Sequence, residues 1–180
     1  TWDPQGQRML LYGGWRLPDN YYSDFWEFTD DQWSQIQNNA PPGARIGHVA
    51  FDPDRGVMVL YGGNVGQTFY SDTWEWNGQS WTQRLSTSPP GARWGQMMVY
   101  DEARDVTLLF GGERGYYNST KYGDLWAWNG TAWSQVSAGG GPSARASGAI
   151  AYDPLRESVV VYGGGNWEYG ALYDDTWEWD

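Results

Sequence analysis

The chain has 180 residues, a formal charge of −11 and no cysteine, which excludes disulfides, thiolate catalysis and Cys-ligated metal centres and argues against non-specific binding to nucleic acid or anionic membrane. With 40% hydrophobic residues, 14 Trp and 13 Tyr, it carries enough apolar area to offset the entropy of ordering, so disorder is excluded and an aromatic core is expected. The 25 Gly and 9 Pro, against a single Lys, favour turns and strands over helices. No apolar run approaches the ~18 residues of a membrane helix, and no signal peptide is visible at Thr1. The acidic, Lys-poor, Asn- and Trp-rich composition leans towards a secreted protein.

A self-similar pattern runs along the chain. The segments ending Tyr12-Gly13-Gly14, Tyr61-Gly62-Gly63, Phe110-Gly111-Gly112 and Tyr162-Gly163-Gly164 recur at spacings of 49, 49 and 52 residues. They divide the chain into units of about 1–41, 42–89, 90–140 and 141–180. The first unit lacks most of its first strand and the fourth lacks its last. In the first unit an apolar strand leads to Gly13-Gly14, a loop covers 15–23, and strands follow around Trp26 and Trp33. A link at 37–44 leads to the second unit, whose first strand ends in Phe51-Asp52. The turn Asp52-Pro53-Asp54-Arg55-Gly56 then opens a continuous apolar run, Val57 to Tyr61, expected to be buried on both faces. After the loop 64–71, Trp74-Glu75-Trp76 alternates as a half-buried strand, and Asn77-Gly78 predicts a hairpin with both central residues at positive φ. Trp81 marks the fourth strand. The third unit repeats this order through Tyr100-Asp101, Val106 to Phe110, loop 113–123, Trp126-Ala127-Trp128, Asn129-Gly130 and Trp133. The fourth runs through Tyr152-Asp153 and loop 165–174 to Trp177. Each third strand is preceded by an acid: Asp24, Asp72, Asp124 or Asp175. These are expected to accept backbone N–H bonds in the turn.

Four-stranded units of about 50 residues, with a double glycine after the second strand, Tyr-x-Asp-x-Trp before the third and Trp on the fourth, resemble kelch repeats over the whole chain. The resemblance implies an all-β fold of kelch-type β-propeller blades, each a four-stranded antiparallel sheet, forming four blades or an arc of a larger ring. Family rings usually have six or seven blades. An isolated arc would expose aromatic blade faces, so self-association or further blades are expected to complete the ring.

In antiparallel order the loops between strands two and three share one rim with the links 37–44, 84–92 and 136–144, and function on a repeat scaffold sits on loops. The candidate ligand residues are therefore those on this rim that the repeat does not require. They are Trp15, Arg16, Asn20 and Tyr21 in the first unit, Asn64, Gln67 and Phe69 in the second, and Glu113, Arg114, Tyr116 and Tyr117 in the third. The fourth adds Asn166, Trp167, Glu168 and Tyr169. Aromatics mixed with amides and charges suit a carbohydrate or a protein partner. Arg45, Arg93 and Arg145 recur at the entrance to strand one, which in kelch propellers lines the axis. The resemblance would set them around the channel mouth, whereas their recurrence in every repeat points to pairing within the scaffold, with an Asp of the recurring set or a backbone carbonyl.

Some kelch relatives are copper radical oxidases whose site resembles two His, a Tyr and a Tyr cross-linked to Cys. With one His and no Cys, these residues cannot build that site. His48, replaced by Gln96 and Gly148 in later units, reads as a packing residue. No Ser–His–Asp motif supports nucleophilic catalysis, no cofactor is implied and no EF-hand-like spacing is present, which leaves a calcium ion held by carboxylates and carbonyls of the acidic loops as an open alternative. The reading is a non-catalytic binding module; the alternative is a segment of an extracellular carbohydrate-active or galactose-oxidase-like kelch enzyme whose catalytic residues lie outside these 180.

Overall fold

In the computed structural model, which describes residues 1–37, 42–116, 119–166 and 170–180, the chain is all β, with no helix among the described residues. Among the described residues no helix is therefore long and apolar enough to cross a membrane. Four antiparallel sheets form the four blades of a propeller. Blade I runs β1 (Trp2–Asp3), β2 (Arg8–Arg16), β3 (Asn20–Thr29), β4 (Gln32–Gln35). Blade II is β5 (Ile46–Asp52), β6 (Val57–Val65), β8 (Thr73–Trp76) and β9 (Trp81–Arg84), with β7 (Thr68–Phe69) paired to the end of β6. Blade III is β10 (Met97–Asp101), β11 (Val106–Phe110), β14 (Leu125–Trp128) and β15 (Trp133–Ser137), with a ribbon of β12 (Glu113–Arg114) and β13 (Thr120–Lys121). Blade IV has three strands, β16 (Ala149–Asp153), β17 (Ser158–Tyr162) and β20 (Thr176–Trp179), and a ribbon of β18 (Gly165–Asn166) and β19 (Ala171–Leu172).

The tight turns follow from side chains that bond their own backbone. Asp52 Oδ1 accepts from Arg55 N at 2.9 Å while its Oδ2 accepts from Arg55 Nε at 2.7 Å, and Asp101 with Arg104 and Asp153 with Arg156 repeat the device. At the hairpin after β8 the expectation of two positive φ angles fails. Trp76 pairs directly with Trp81, leaving a four-residue loop in which Gly78 has φ 93° while Asn77 has no positive φ. Asn77 instead uses its Oδ1 to accept from Gln79 N and Ser80 N at 3.1 and 3.0 Å.

The core lies between blades, in three layers. Leu10, Tyr12 and Phe25 of blade I pack on Phe51, Met58, Leu60, Trp76 and Trp81 of blade II. The other face of blade II, with Ala50, Val59 and Tyr61, meets Met98, Leu109, Trp128 and Trp133 of blade III. Blade III then presents Met97, Leu108, Phe110 and Leu125 to Val159 and Val161 of blade IV. Because blade II is covered on both sides, β6 is buried along all but its last residue. A repeated edge-to-face contact locks consecutive blades: Trp81 on Tyr12 at 5.1 Å and Trp133 on Tyr61 at 5.0 Å, geometries worth about 0.5–1.5 kcal/mol beyond area burial.

The double glycines steer the chain out of each sheet. Gly62 and Gly63 have φ 57° and 93°, and a Cβ on Gly62 would sit 2.8 Å from the Arg93 carbonyl oxygen and 3.0 Å from that of Tyr70, so only glycine fits. The amide of Gly63 donates to the Arg93 carbonyl at 2.8 Å, as those of Gly14 and Gly112 do to Arg45 and Arg145 at 3.0 and 2.8 Å. Beyond this bend the chain pairs again. The segments expected as loops therefore contain short ribbons: β2 with β3 through Trp15 and Tyr21, β6 with β7, β12 with β13, and β18 with β19.

Candidate binding rim

Beneath the rim lies a unit repeated three times. Arg45, Arg93 and Arg145 are buried, and each forks onto the aspartate of its own blade. Arg93 Nη1 and Nη2 reach Asp124 at 2.7 and 3.0 Å, Arg45 reaches Asp72 at 2.7 and 3.2 Å, and Arg145 pairs with Asp175. Each guanidinium also donates to the first carbonyl of a double glycine, Gly62, Gly111 or Gly163. Each lies over a tyrosine ring, Tyr70, Tyr122 or Tyr173, at 4.2, 3.8 and 4.1 Å. The same carboxylates accept the indole N–H two residues on, from Trp74, Trp126 and Trp177, at 2.7 Å. So these aspartates bond guanidinium and indole groups where backbone N–H bonds were expected, and the arginines are held inside the scaffold. For Asp124, burial alone pushes the carboxyl up, but the hydrogen bonds from Arg93 and Trp126 and the Arg93 charge hold it below its ordinary value.

Above this layer the ribbons of three blades converge on Tyr116. Its ring lies 5.7 Å from both Phe69 and Trp94. Its hydroxyl donates to the Gly66 carbonyl at 2.9 Å and accepts from Asn64 Nδ2, with the Tyr21 side chain close by. Burial and the Tyr21 hydroxyl push the Tyr116 pKa up. Four of the sequence-chosen residues, Tyr21, Asn64, Phe69 and Tyr116, thus meet at one place. Among the described residues, this rim exposes the rings of Trp15 (46%), Tyr22 (38%) and Tyr116 (42%) in blades I to III. Three buried polar atoms on the same rim, Asn64 Oδ1, Trp94 Nε1 and Asn166 Oδ1, have no partner. A groove of about 370 Å³ adjoins the cluster, lined by Phe69, Asp72, Gln83, Arg84, Leu85 and Pro89 among others.

Other chosen residues behave differently. Arg16, Asn20, Gln67 and Arg114 are exposed. Glu113 is buried and closed by Lys121 and by Ser119 Oγ at 3.1 Å. Tyr117, Trp167, Glu168 and Tyr169 lie outside the described residues. Trp94 was not among the sequence candidates because it follows the recurring Arg and reads as strand entry; its only signal is that Ile46 and Ala146 stand at that position elsewhere. His48, on β5, has its Nδ1 sealed without a partner, and burial pulls its pKa down to about 4. Among the described residues no group of three or more acidic, His or Cys side chains is placed to hold a metal ion.

The family description KLHDC2/KLHL20/DRC7 Kelch-repeats domain matches residues 2–180. The chain belongs to the kelch-repeat family. Its fold is similar to that of the solved structure of YjhT, with a TM-score of 0.68 at 16% identity over 86% of this chain. That likeness covers 48% of the YjhT chain, so the kelch chain described here spans about half of its length. No curated protein sequence matched. Kelch propeller domains mediate protein interactions, and membership of the family suggests a binding or interaction module.

Proposed function

We propose that this kelch chain is a non-catalytic binding module that holds a protein partner on its loop rim, with a peptide segment of that partner lying over Tyr116 and along the groove beside Phe69. The observation that carries the reading is the convergence of Tyr21, Asn64, Phe69 and Tyr116 from three different blades. A site assembled from several blades is what a rigid scaffold provides at low entropic cost. Tyr and Trp rings bring large contact area with few rotatable bonds, and exposed Arg16 and Arg114 add forks for carboxylates. The unpartnered Asn64 Oδ1 and Trp94 Nε1 are polar atoms that a ligand's amides could satisfy after a small local opening.

Carbohydrate is the second reading, favoured by the exposed faces of Trp15 and Tyr116 beside the rim amides Asn20 and Gln67. A random peptide display library and a glycan array, screened in parallel, separate the two. The proposal expects peptide hits that are lost in Tyr116→Ala and Trp15→Ala. Hits on glycans alone would favour the second reading, and hits indifferent to both substitutions would defeat the site assignment.

A further inference from the structure

The hairpins between the third and fourth strands of blades II and III carry Asn77-Gly78 and Asn129-Gly130. Both asparagines are exposed, and each ties its own turn in the same way. Asn77 Oδ1 accepts from Gln79 N and Ser80 N at 3.1 and 3.0 Å, and Asn129 Oδ1 from Thr131 N and Ala132 N at 3.0 and 2.9 Å. The intervening amides, those of Gly78 and Gly130, have no hydrogen-bond partner among the described residues.

This arrangement favours attack of the chain on its own side chain. A carbonyl oxygen that receives two N–H bonds leaves its carbon electron-poor, and the same two donors meet the negative charge that grows on that oxygen when a nucleophile adds. The nitrogen of the following residue is one bond sequence away from closing a five-membered ring on the asparagine Cγ. It is free of hydrogen bonds here, and glycine has no Cβ to obstruct the closure.

The two hairpins differ in what covers the glycine. A Cβ on Gly78 would meet nothing within 4 Å, whereas one on Gly130 would lie 2.6 Å from Arg55 Nη1 and 2.9 Å from Arg55 Cζ. Arg55 belongs to the preceding blade and is pinned there, its Nε donating to Asp52 at 2.7 Å and its Nη1 to Glu75 at 2.5 Å. Arg8, which holds the matching place in blade I, lies instead over the Trp76 ring at 5.1 Å. The blade III hairpin is therefore clamped to its neighbour, and the blade II hairpin is open.

We infer that Asn77 is a site of spontaneous deamidation through a succinimide, and that Arg55 protects Asn129 from the same reaction. Gly78 N loses its proton to hydroxide and bonds to Asn77 Cγ; the Cγ–Nδ2 bond breaks, and Nδ2 leaves as ammonia. Water then opens the ring. Breaking the bond from Gly78 N to Cγ leaves aspartate, and breaking the bond from Gly78 N to the main-chain carbon leaves isoaspartate. No electrons are exchanged with an outside oxidant or reductant. Either product moves the formal charge from −11 to −12. Aspartate can still accept from Gln79 N and Ser80 N, while isoaspartate adds a methylene to the main chain and disrupts the turn. Both hairpins lie on the rim of tight turns, away from the proposed peptide site.

The test keeps the intact chain at mildly alkaline pH in heavy-oxygen water and follows both sites by peptide mapping and mass spectrometry. The chain held unfolded in urea gives the intrinsic rate of each site. Relative to that rate, Asn77 is expected to react about tenfold faster than Asn129, the factor that ~1.4 kcal/mol of added barrier gives. In Arg55→Ala the Asn129 rate should rise towards that of Asn77, while Asn77 itself, the internal gauge of general loosening, keeps its rate. Equal relative rates in the parent chain overturn the inference, and so does a parallel rise of both rates in Arg55→Ala. An Asn77 that stays intact in the folded chain while the unfolded chain is modified overturns it as well.

Discussion

Arg93 shows what one residue does in this scaffold. Its guanidinium is 1% exposed, forks onto Asp124, donates to the Gly111 carbonyl and rests on Tyr122. Burying a charge is costly unless it is paired and its hydrogen bonds are made. Removing one partner leaves the other uncompensated, so Arg93→Ala is expected to lower stability by about 3–5 kcal/mol in urea unfolding. Arg93→Lys should recover only part of this, since an ammonium cannot fork. A loss under about 1 kcal/mol for the Ala variant would mean the pair does not hold the blade. His48 supplies a pH signature. Unfolded, it takes up a proton near its ordinary 6.5; folded, burial delays this until about 4. The unfolded state therefore binds more protons between those values, and stability is full above about pH 6.5 and declines as pH falls towards 4, by at most about 3 kcal/mol. His48→Gln, the residue of the next repeat, should flatten that decline in urea midpoints measured from pH 7 to 4. An unchanged slope would show that His48 is not its source. Depressed carboxylates such as Glu75, where bonds from Trp128, Arg55 and Arg84 overcome the upward push of burial, add their own loss only below their ordinary value of 4.5, so the upper part of the window isolates the imidazole.

At the scale of the element, the blade was legible because its period is long and its markers are chemically forced. The glycine pair must accept a neighbouring carbonyl closer than a Cβ allows, and the fourth-strand Trp must reach the aromatic of the preceding blade. Such constraints return in every repeat and survive as spacing. What was not legible is what the repeat does not enforce. Nothing local announces that Asn64 bonds Tyr116 across 52 residues, or that Lys121 closes on Glu113, because loop partners are set by how neighbouring ribbons lean together. The blade faces themselves carry a consequence. Met9, Leu11 and Trp33 on the outer face of blade I, and Tyr162 on that of blade IV, are 45–53% exposed. Trp33 and Tyr162 correspond to the Trp81 and Tyr12 that meet between blades I and II. Two such faces in water predict head-to-tail association between copies. Sedimentation velocity should show species that grow with concentration and revert towards monomer in Leu11→Glu. A single monomer at every concentration would contradict this.

For the whole molecule, the division of labour runs between two rims. One is built of tight turns tied by Asp–Arg pairs of fixed design, and it varies little from blade to blade. The other is built of ribbons that differ in every blade, those of blades I to III meeting at Tyr116. Variation on one rim and repetition on the other is how a solenoid or ring separates recognition from stability. The acidic surface, with a charge of −11, favours partners whose contacting segment is neutral or basic and makes the encounter rate sensitive to salt. Calorimetric titration of the best peptide from the display screen, into the parent chain, Tyr116→Ala and a Leu155→Ala control on the opposite rim, tests the rim assignment most directly. The account predicts a 10- to 100-fold weaker Kd for Tyr116→Ala, about 1.4–2.8 kcal/mol, and an unchanged Kd for Leu155→Ala. Equal affinity in Tyr116→Ala, or a loss confined to Leu155→Ala, would contradict it.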